Sequence, residues 1–302
     1  MNNITKIDAA RLCQEFGLEG LPAKVYHHGA RPDRDTLAQD FTDSGIFMLR
    51  SGSANEERNL PRRAGASLSE AEVWIRELPP HLDVVVQPYA PVVFSVELAW
   101  YGERYVAELV PGIWELSTAI SPLVLTVRGE ETTLSGSLSP QPVMYHTFKR
   151  GYYRKLARVE DWQIQTLITW IQSKHDKLSS LQSHLGGGAF GVKMHLALGF
   201  GLSPQNIRTK VPSLDLDISA SQSTELVRIV TVDDAIPSET DVFLDVSIAR
   251  EEHAALSGLI GRLLAASTRV VYLKSGLLSH LAIALREAGL TVRRIDATVL
   301  RT

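Results

Sequence analysis

The stretch Lys274 to Leu290 reads Lys-Ser-Gly-Leu-Leu-Ser-His-Leu-Ala-Ile-Ala-Leu-Arg-Glu-Ala-Gly-Leu, and it decides how the C-terminal part of the chain folds. A short apolar strand over 269–273 is predicted to run into the Ser-Gly turn. A helix is predicted over 280–288, with Gly289 as a left-handed cap. His280 then begins that helix, directly after a serine hydroxyl. Backbone N–H groups and the dipole at this helix end would stabilise a phosphoryl group carried on the imidazole.

The segments on both sides of this stretch alternate between strand and helix. Strands are predicted over 226–232, 242–246 and 291–295, and a helix over 251–265. This alternation predicts an α/β module of about 80 residues. A polar stretch rich in Ser and Asp precedes it. We therefore predict three parts of the chain: a first domain over 1–212, a linker over 213–224 and a second domain over 225–302.

The first domain has a different pattern, typical of an α+β fold. Strands over 94–100 and 105–110 flank a Tyr-Gly-Glu-Arg turn, which predicts a hairpin. Helical spacing over 162–185 ends at three consecutive glycines. Strands over 192–198 and 206–211 predict a second hairpin that closes the domain.

The overall composition excludes several classes of function. The chain has 302 residues, of which 44% are hydrophobic and 22% charged, and its net charge is −3. The charge disfavours nucleic acid as a partner. A single cysteine excludes an internal disulfide framework. Apolar runs are too short for a membrane span, and the N-terminal residues lack the apolar core of a signal peptide. We therefore expect no membrane partner and a cytoplasmic location.

The segment around His280 resembles the phosphohistidine motif of the phosphoenolpyruvate synthase, pyruvate phosphate dikinase and rifampicin phosphotransferase families, Gly-Gly-x-x-Ser/Thr-His-x-Ala-x-x-Ala-Arg-Glu-x-Gly. The positions that agree are Gly276, Ser279, His280, Ala282, Arg286, Glu287 and Gly289. Ser275 and Leu285 depart from the motif. The resemblance implies that His280 carries the phosphoryl group and that Ser279 and Arg286 support its phosphorylated form. A surface histidine without chemistry is the alternative.

A second resemblance to the same families lies in the first domain. Arg50-Ser51-Gly52-Ser53 follows a predicted strand, and a guanidinium beside hydroxyls suits phosphate. This segment resembles the families' Val-Arg-Ser-Ser element, although an edge arginine in a polar turn is the alternative. The segments 83–87 and 105–115 resemble their Val-Ile-Val-Gln and Val-x-Glu-x-x-x-Gly-x-Gly-Glu elements. The resemblance implies an ATP-grasp-like domain with nucleotide-binding residues Arg50, Ser51, Ser53, Gln87, Glu108 and Glu115.

The closing hairpin departs from these families. Where they supply an acidic ligand and a glutamine for magnesium, this chain has His195 and Arg208, and Lys210 stands near the arginine position. Mg²⁺ prefers oxygen ligands, which a cationic hairpin does not offer. Arg208 and Lys210 therefore join the nucleotide-binding candidates. The implied cofactors are ATP and Mg²⁺, and the metal ligands stay open.

The two resemblances occur in family order along the chain, and they imply one mechanism. The ATP-grasp-like domain would phosphorylate His280 on a small swivelling domain. The histidine would then pass the group to a small-molecule acceptor, or to an acceptor site on a partner protein. The leading hypothesis is an ATP-dependent phosphotransferase of dikinase type. The alternative is a catalytically degenerate member that binds nucleotide or a partner: the retained Ser279-His280 pair favours the first, and the lost magnesium ligands favour the second.

Overall fold

The computed structural model describes residues 4–18, 20–53, 60–113, 120–136, 138–209, 211, 226–245, 248, 253–273, 276 and 280–294. The fold is mixed α/β, with antiparallel sheets in the first two thirds of the chain and a parallel sheet in the last third. Among the described helices, none combines the length and the hydropathy needed to cross a bilayer.

The helices and strands follow one another along the chain with these bounds: α1 Lys6–Glu15, β1 Lys24–Tyr26, α2 Arg34–Asp40, β2 Ile46–Gly52, β3 Arg62–Ser67, α3 Leu68–Glu77, β4 Asp83–Pro88, β5 Val92–Trp100, β6 Arg104–Pro111, β7 Leu123–Arg128, β8 Glu131–Ser135, β9 Gln141–Thr147, β10 Gly151–Ala157, α4 Asp161–His184, β11 Phe190–Ala197, β12 Gly201–Arg208, β13 Val227–Ile229, β14 Val242–Leu244, α5 His253–Ala265, β15 Val271–Leu273, α6 His280–Glu287 and β16 Val292–Arg294.

A small antiparallel sheet has the strand order β1-β4-β2-β3. It packs against α2 and α3 through an apolar cluster that includes Phe47, Leu49 and Ile75. Ser67 and Glu70 form a reciprocal capping box that starts α3 directly after β3. This tight strand-to-helix junction fixes the β3 edge of the small sheet.

A larger six-stranded sheet has the order β12-β11-β5-β6-β7-β8. Side chains alternate between its two faces because successive residues of a strand point to opposite sides. Along β5, Phe94, Val96 and Leu98 join the core formed with α1 and α4. Ser95 and Glu97 therefore lie on the other face, which the two helices do not cover.

The C-terminal module is a parallel sheet in the order β13-β14-β15-β16, with α5 and α6. Its apolar core continues into the six-stranded sheet through Ala99, Val106 and Val124. The cross-strand pairs Ala99↔Val106 and Glu97↔Glu108 place these residues on one face. The module thus covers part of the same sheet face that carries Glu97.

The predicted elements are confirmed in type wherever the apolar periodicity was strong. The hairpin β5–β6, the long helix α4 with its Gly186–Gly187 stop, and the strand–helix alternation after residue 226 all form. The closing hairpin also forms, although it turns earlier than predicted, at 198–200. The predicted linker over 213–224 lies outside the described residues, so a swivelling C-terminal domain stays a prediction.

Candidate functional site

A cleft of about 780 Å³ opens between the small sheet and the six-stranded sheet. Five different elements contribute a cation to its lining: α1, β2, β3, β11 and β12. The cationic residues are Lys6, Arg50, Arg62, Lys193 and Arg208. In the part of the lining that the structure describes, no residue is Asp or Glu. The described lining is therefore strongly cationic.

Arg50 bridges the two sheets across the cleft. It stands on β2, where its Nη2 donates to Gln87 Oε1 at 3.0 Å and its Nη1 donates to the Gln205 carbonyl oxygen of β12 at 3.2 Å. Its Nε is buried and has no hydrogen-bond partner among the described residues. Burial lowers the pKa of Arg50 to about 10, so the guanidinium stays protonated at neutral pH.

In the described part of the chain, the carboxylate of Glu97 pairs with two of these cations. It lies beneath the cleft on β5, where Lys193 Nζ and Arg208 Nη2 each approach its Oε1 to 3.6 Å. The Glu97 side chain is 5% exposed. Burial lowers the pKa of Lys193, and the charge of Glu97 opposes that shift. Among the described residues, one carboxylate thus pairs with two of the five cations.

The remaining positive charges repel one another. Partial burial lowers the pKa of the Lys6 ammonium group. The charges of Arg50, Arg62 and Lys193 lower the pKa of Lys6 further. A bound anion would relieve this repulsion, because it would place a negative charge between the cations.

His195 lies on the same face of β11 as Lys193, two residues further along the strand. It lines the cleft, and its Nε2 is buried without a hydrogen-bond partner in the described part of the chain. Burial, and then the charges of Lys193 and Arg50, lower the pKa of His195 to about 3. The imidazole is therefore neutral at physiological pH.

Aromatic side chains form another part of the lining. Tyr89 Oη lies 2.8 Å from His146 Nδ1 and 2.9 Å from the His146 carbonyl oxygen. The Tyr152 ring meets the His146 ring edge-on, with 4.6 Å between their centroids. All three residues line the cleft, and His146 and Tyr152 belong to the hairpin β9–β10. The cleft thus combines cations with apolar ring surface.

Four of the predicted nucleotide-binding residues line this cleft: Arg50, Ser51, Gln87 and Arg208. The Ser51 hydroxyl donates to the Pro61 carbonyl oxygen at 2.8 Å. Ser53 is buried and is not part of the lining. The cleft therefore unites residues that the sequence placed on separate strands, and their nucleotide-binding role stays a prediction.

Glu108 does not line this cleft, and its nucleotide-binding role stays a prediction. It is buried on β6 directly opposite Glu97, under the C-terminal module rather than in the cleft lining. Gly276 sits so close above it that an added Cβ would lie 2.2 Å from Glu108 Oε2. Gly276 therefore contacts the six-stranded sheet at Glu108, where a larger side chain would force the carboxylate to move.

Arg286 interacts with its own module and with the six-stranded sheet. Its Nη2 donates to the Val292 carbonyl oxygen at 3.2 Å. Burial lowers the pKa of Arg286, and the charge of Glu108 opposes this shift. The hydrogen bond to Val292 links α6 to β16, and a role for Arg286 in supporting a phosphohistidine stays a prediction.

His280 begins α6, as predicted. The placement of its side chain, and the residues Ser279, Glu115 and Lys210, lie outside the described part of the structure. The predicted roles of these four residues are therefore untested.

A magnesium ion does not fit the described part of the cleft. Mg²⁺ takes near-octahedral oxygen coordination, usually with one or two carboxylates. The described lining offers no carboxylate, and Glu97 beside it pairs with Lys193 and Arg208.

Sequence reasoning missed three groups of the cleft: Lys6, Arg62 and the aromatic residues of β9–β10. A signal existed for Lys193 and His195, which alternate with the buried Val192 and Met194 along β11. That alternation predicts a shared face. The alternation could not predict that a second sheet would lie opposite this face of β11.

No protein-family model matches this chain, and no curated protein matches it. Solved structures do match. One is an ATP-grasp ligase, PsnB, complexed with a minimal precursor, at 9% identity and a TM-score of 0.37. Another is an N5-carboxyaminoimidazole synthase from Aspergillus clavatus with bound ADP, at 12% identity and a TM-score of 0.40. A third is D-cycloserine synthetase DcsG, at 14% identity and a TM-score of 0.35.

Each of these three matches covers 70% of this chain. The chain spans 53%, 45% and 64% of the three proteins, in the same order. All three TM-scores lie below 0.5, so the likenesses add no argument about fold or activity.

Proposed function

We propose that the cleft binds ATP through its phosphates and that the chain is an ATP-dependent phosphotransferase with an ATP-grasp-like first domain. The observation that carries this proposal is the convergence of five cations, from five elements, on one cleft between two antiparallel sheets. A guanidinium pairs with phosphate oxygens in a fork, and an ammonium group binds phosphate as a point charge. Five positive charges are more than a ligand with a single carboxylate would require.

The rest of the lining also suits a nucleotide. Tyr89, His146 and Tyr152 offer ring surface on which a purine can stack. Arg50 ties both walls together through Gln87 and Gln205, so its guanidinium is held in place before a ligand arrives. Preorganisation of this kind lowers the entropy that binding costs.

The proposed chemistry passes the phosphoryl group through His280. A neutral imidazole nitrogen would attack a phosphorus atom of ATP, the P–O bond to the leaving group would break, and the leaving oxygen would keep the electron pair. The position of Gly276 over Glu108 supports this step, because Glu108 is the cross-strand neighbour of Glu97 beneath the cleft. The acceptor would be a small molecule or would lie on a partner protein.

The second candidate function is ATP binding without turnover. The carboxylate-free lining of the described cleft favours it, since dikinase chemistry in the resembled families requires magnesium. Both candidates require the same nucleotide site, and they differ in whether His280 becomes phosphorylated.

The nucleotide site is tested by calorimetry with ATP. Arg50→Ala and Lys193→Met should each weaken ATP binding by at least about 1.5 kcal/mol, or about tenfold, because each removes a charged hydrogen bond. The matched control is Arg63→Ala. Arg63 neighbours Arg62 on β3 but pairs with Glu70 at 2.7 Å, away from the lining. Unchanged affinity in folded Arg50→Ala and Lys193→Met proteins would remove ATP from this cleft.

The transfer step is tested with ATP labelled at the β- or γ-phosphorus. The wild-type protein should gain a label that is acid-labile and base-stable, as expected of a phosphohistidine. His280→Ala should abolish the label and leave ATP affinity unchanged, because the histidine acts in chemistry rather than in binding. Wild-type protein that binds ATP and never gains label would establish the binding-only function.

A further inference from the structure

The charge balance of the cleft carries an inference about the form of its ligand. We infer that the cleft binds its polyphosphate as the free anion, with lysine and arginine side chains in the place that a divalent cation takes in other nucleotide sites. This inference rests on the nucleotide site that both candidate functions share, and it states which ionic species of the nucleotide is recognised there.

The first step is the number of positive charges. Lys6, Arg50, Arg62, Lys193 and Arg208 line the cleft, and among the described residues Glu97 pairs with two of them, Lys193 and Arg208. A divalent cation entering with the nucleotide would be repelled by all five. It would also neutralise two of the charges on ATP for which these side chains are the complement.

The second step is the state of Glu97. Its Oε1 lies 3.6 Å from both Lys193 Nζ and Arg208 Nη2, and the side chain is nearly fully buried. A metal ion could use this carboxylate only by displacing both cations. The displaced cations would then lose their counter-charge in a poorly solvated place.

The third step is a buried donor that needs an acceptor. Arg50 Nε is buried without a hydrogen-bond partner in the described structure, and a guanidinium N–H can only donate. A phosphate oxygen satisfies such a donor, and a metal ion cannot. His195 Nε2 is a second buried atom without a partner on the same wall, and a neutral imidazole can donate from it to the same anion.

Calorimetry with ATP in EDTA, and then with excess Mg²⁺, tests the inference on the full chain. Affinity in EDTA should equal or exceed affinity with Mg²⁺, by up to about tenfold. Inorganic tripolyphosphate should follow the same order, because the phosphates provide the interaction. Affinity that falls more than about threefold in EDTA would overturn the inference. ATP that binds in neither condition would overturn the proposed function itself.

Glu97→Gln provides an independent arm. The amide keeps the shape of the carboxylate and removes its charge, so ATP in EDTA should bind about threefold tighter or better. Glu70→Gln is the control, since Glu70 is an exposed acid paired with Arg63 outside the cleft. If the wild-type protein binds ATP only with Mg²⁺, and Glu97→Gln does not bind ATP even with Mg²⁺, Glu97 is a metal ligand and the inference is wrong.

Discussion

One face of the six-stranded sheet carries two different regions side by side: the floor of the cleft and the contact with the C-terminal module. Glu97 and Glu108 are directly opposed on β5 and β6, yet they meet different neighbours. Glu97 lies next to Lys193 and Arg208 under an open cleft. Glu108 lies beneath Gly276 in the contact with the C-terminal module. The backbone is the same antiparallel ladder in both places, so the side chains alone make one half a cationic cleft and the other an interface.

The neighbouring residues explain the difference. Beside Glu108 the face carries the apolar Ala99, Val106 and Val124, which join the core of the module. Beside Glu97 it carries Lys193 and His195. Apolar surface is covered because its removal from water is favourable, whereas charged groups stay near a solvent-filled cleft because burying them unpaired is costly.

The largest expected effect is on the apolar half. Val106→Asp places a charge in the core shared by the sheet and the module, where Val106 is 1% exposed. We expect a loss of at least about 3 kcal/mol in the free energy of unfolding, measured by urea denaturation. Arg62→Ala, in the cleft half, should change this free energy by less than about 0.5 kcal/mol. Similar losses of unfolding free energy in both variants would mean that the cleft half of the sheet face contributes to stability as much as the apolar half does.

An intermediate effect is expected from acid, through His195. Its pKa of about 3 in the folded protein lies below the ordinary value, so the unfolded chain binds a proton first as pH falls. The stabilisation is complete above about pH 6.5 and is lost progressively toward pH 3. Between pH 7 and pH 5 the free energy of unfolding should fall by about 2 kcal/mol more in the wild type than in His195→Gln.

His146→Gln provides the comparison for this titration. Burial lowers the pKa of His146 as well, but no cation contributes to that shift. The His195 variant should therefore flatten the pH profile more than the His146 variant does. A wild-type profile that matches that of His195→Gln would show that His195 is already charged or solvated in the folded protein.

The smallest expected effect concerns the boundary between the halves. Gly276→Ala places a methyl group 2.2 Å from Glu108 Oε2, so the module or the carboxylate must shift. We expect a cost of about 1–2 kcal/mol in the free energy of unfolding. Glu108→Ala removes the obstructing carboxylate, so the double variant should lose less than the sum of the two single losses. Additive losses would show that Gly276 and Glu108 do not touch.

Strong apolar periodicity allowed several elements to be predicted from sequence. β5 and β6 form because alternating apolar residues flank a turn, and the parallel module forms because its buried strands alternate with helices. The hairpin β9–β10 was missed because it is a two-stranded sheet with few buried residues. Its place over the cleft depends on contacts such as the one between Tyr89 and His146, 57 residues apart in sequence.

The sequence by itself determined which side chains share a face. Alternation along β11 puts Lys193 and His195 together, and the helix pattern after Gly276 puts His280 at a helix start. Only the tertiary structure decided that Lys6 and Arg62 would join Arg50 around one cleft. The physical reason is that side-chain periodicity is local, whereas the meeting of two faces depends on how whole sheets and helices bury their apolar sides.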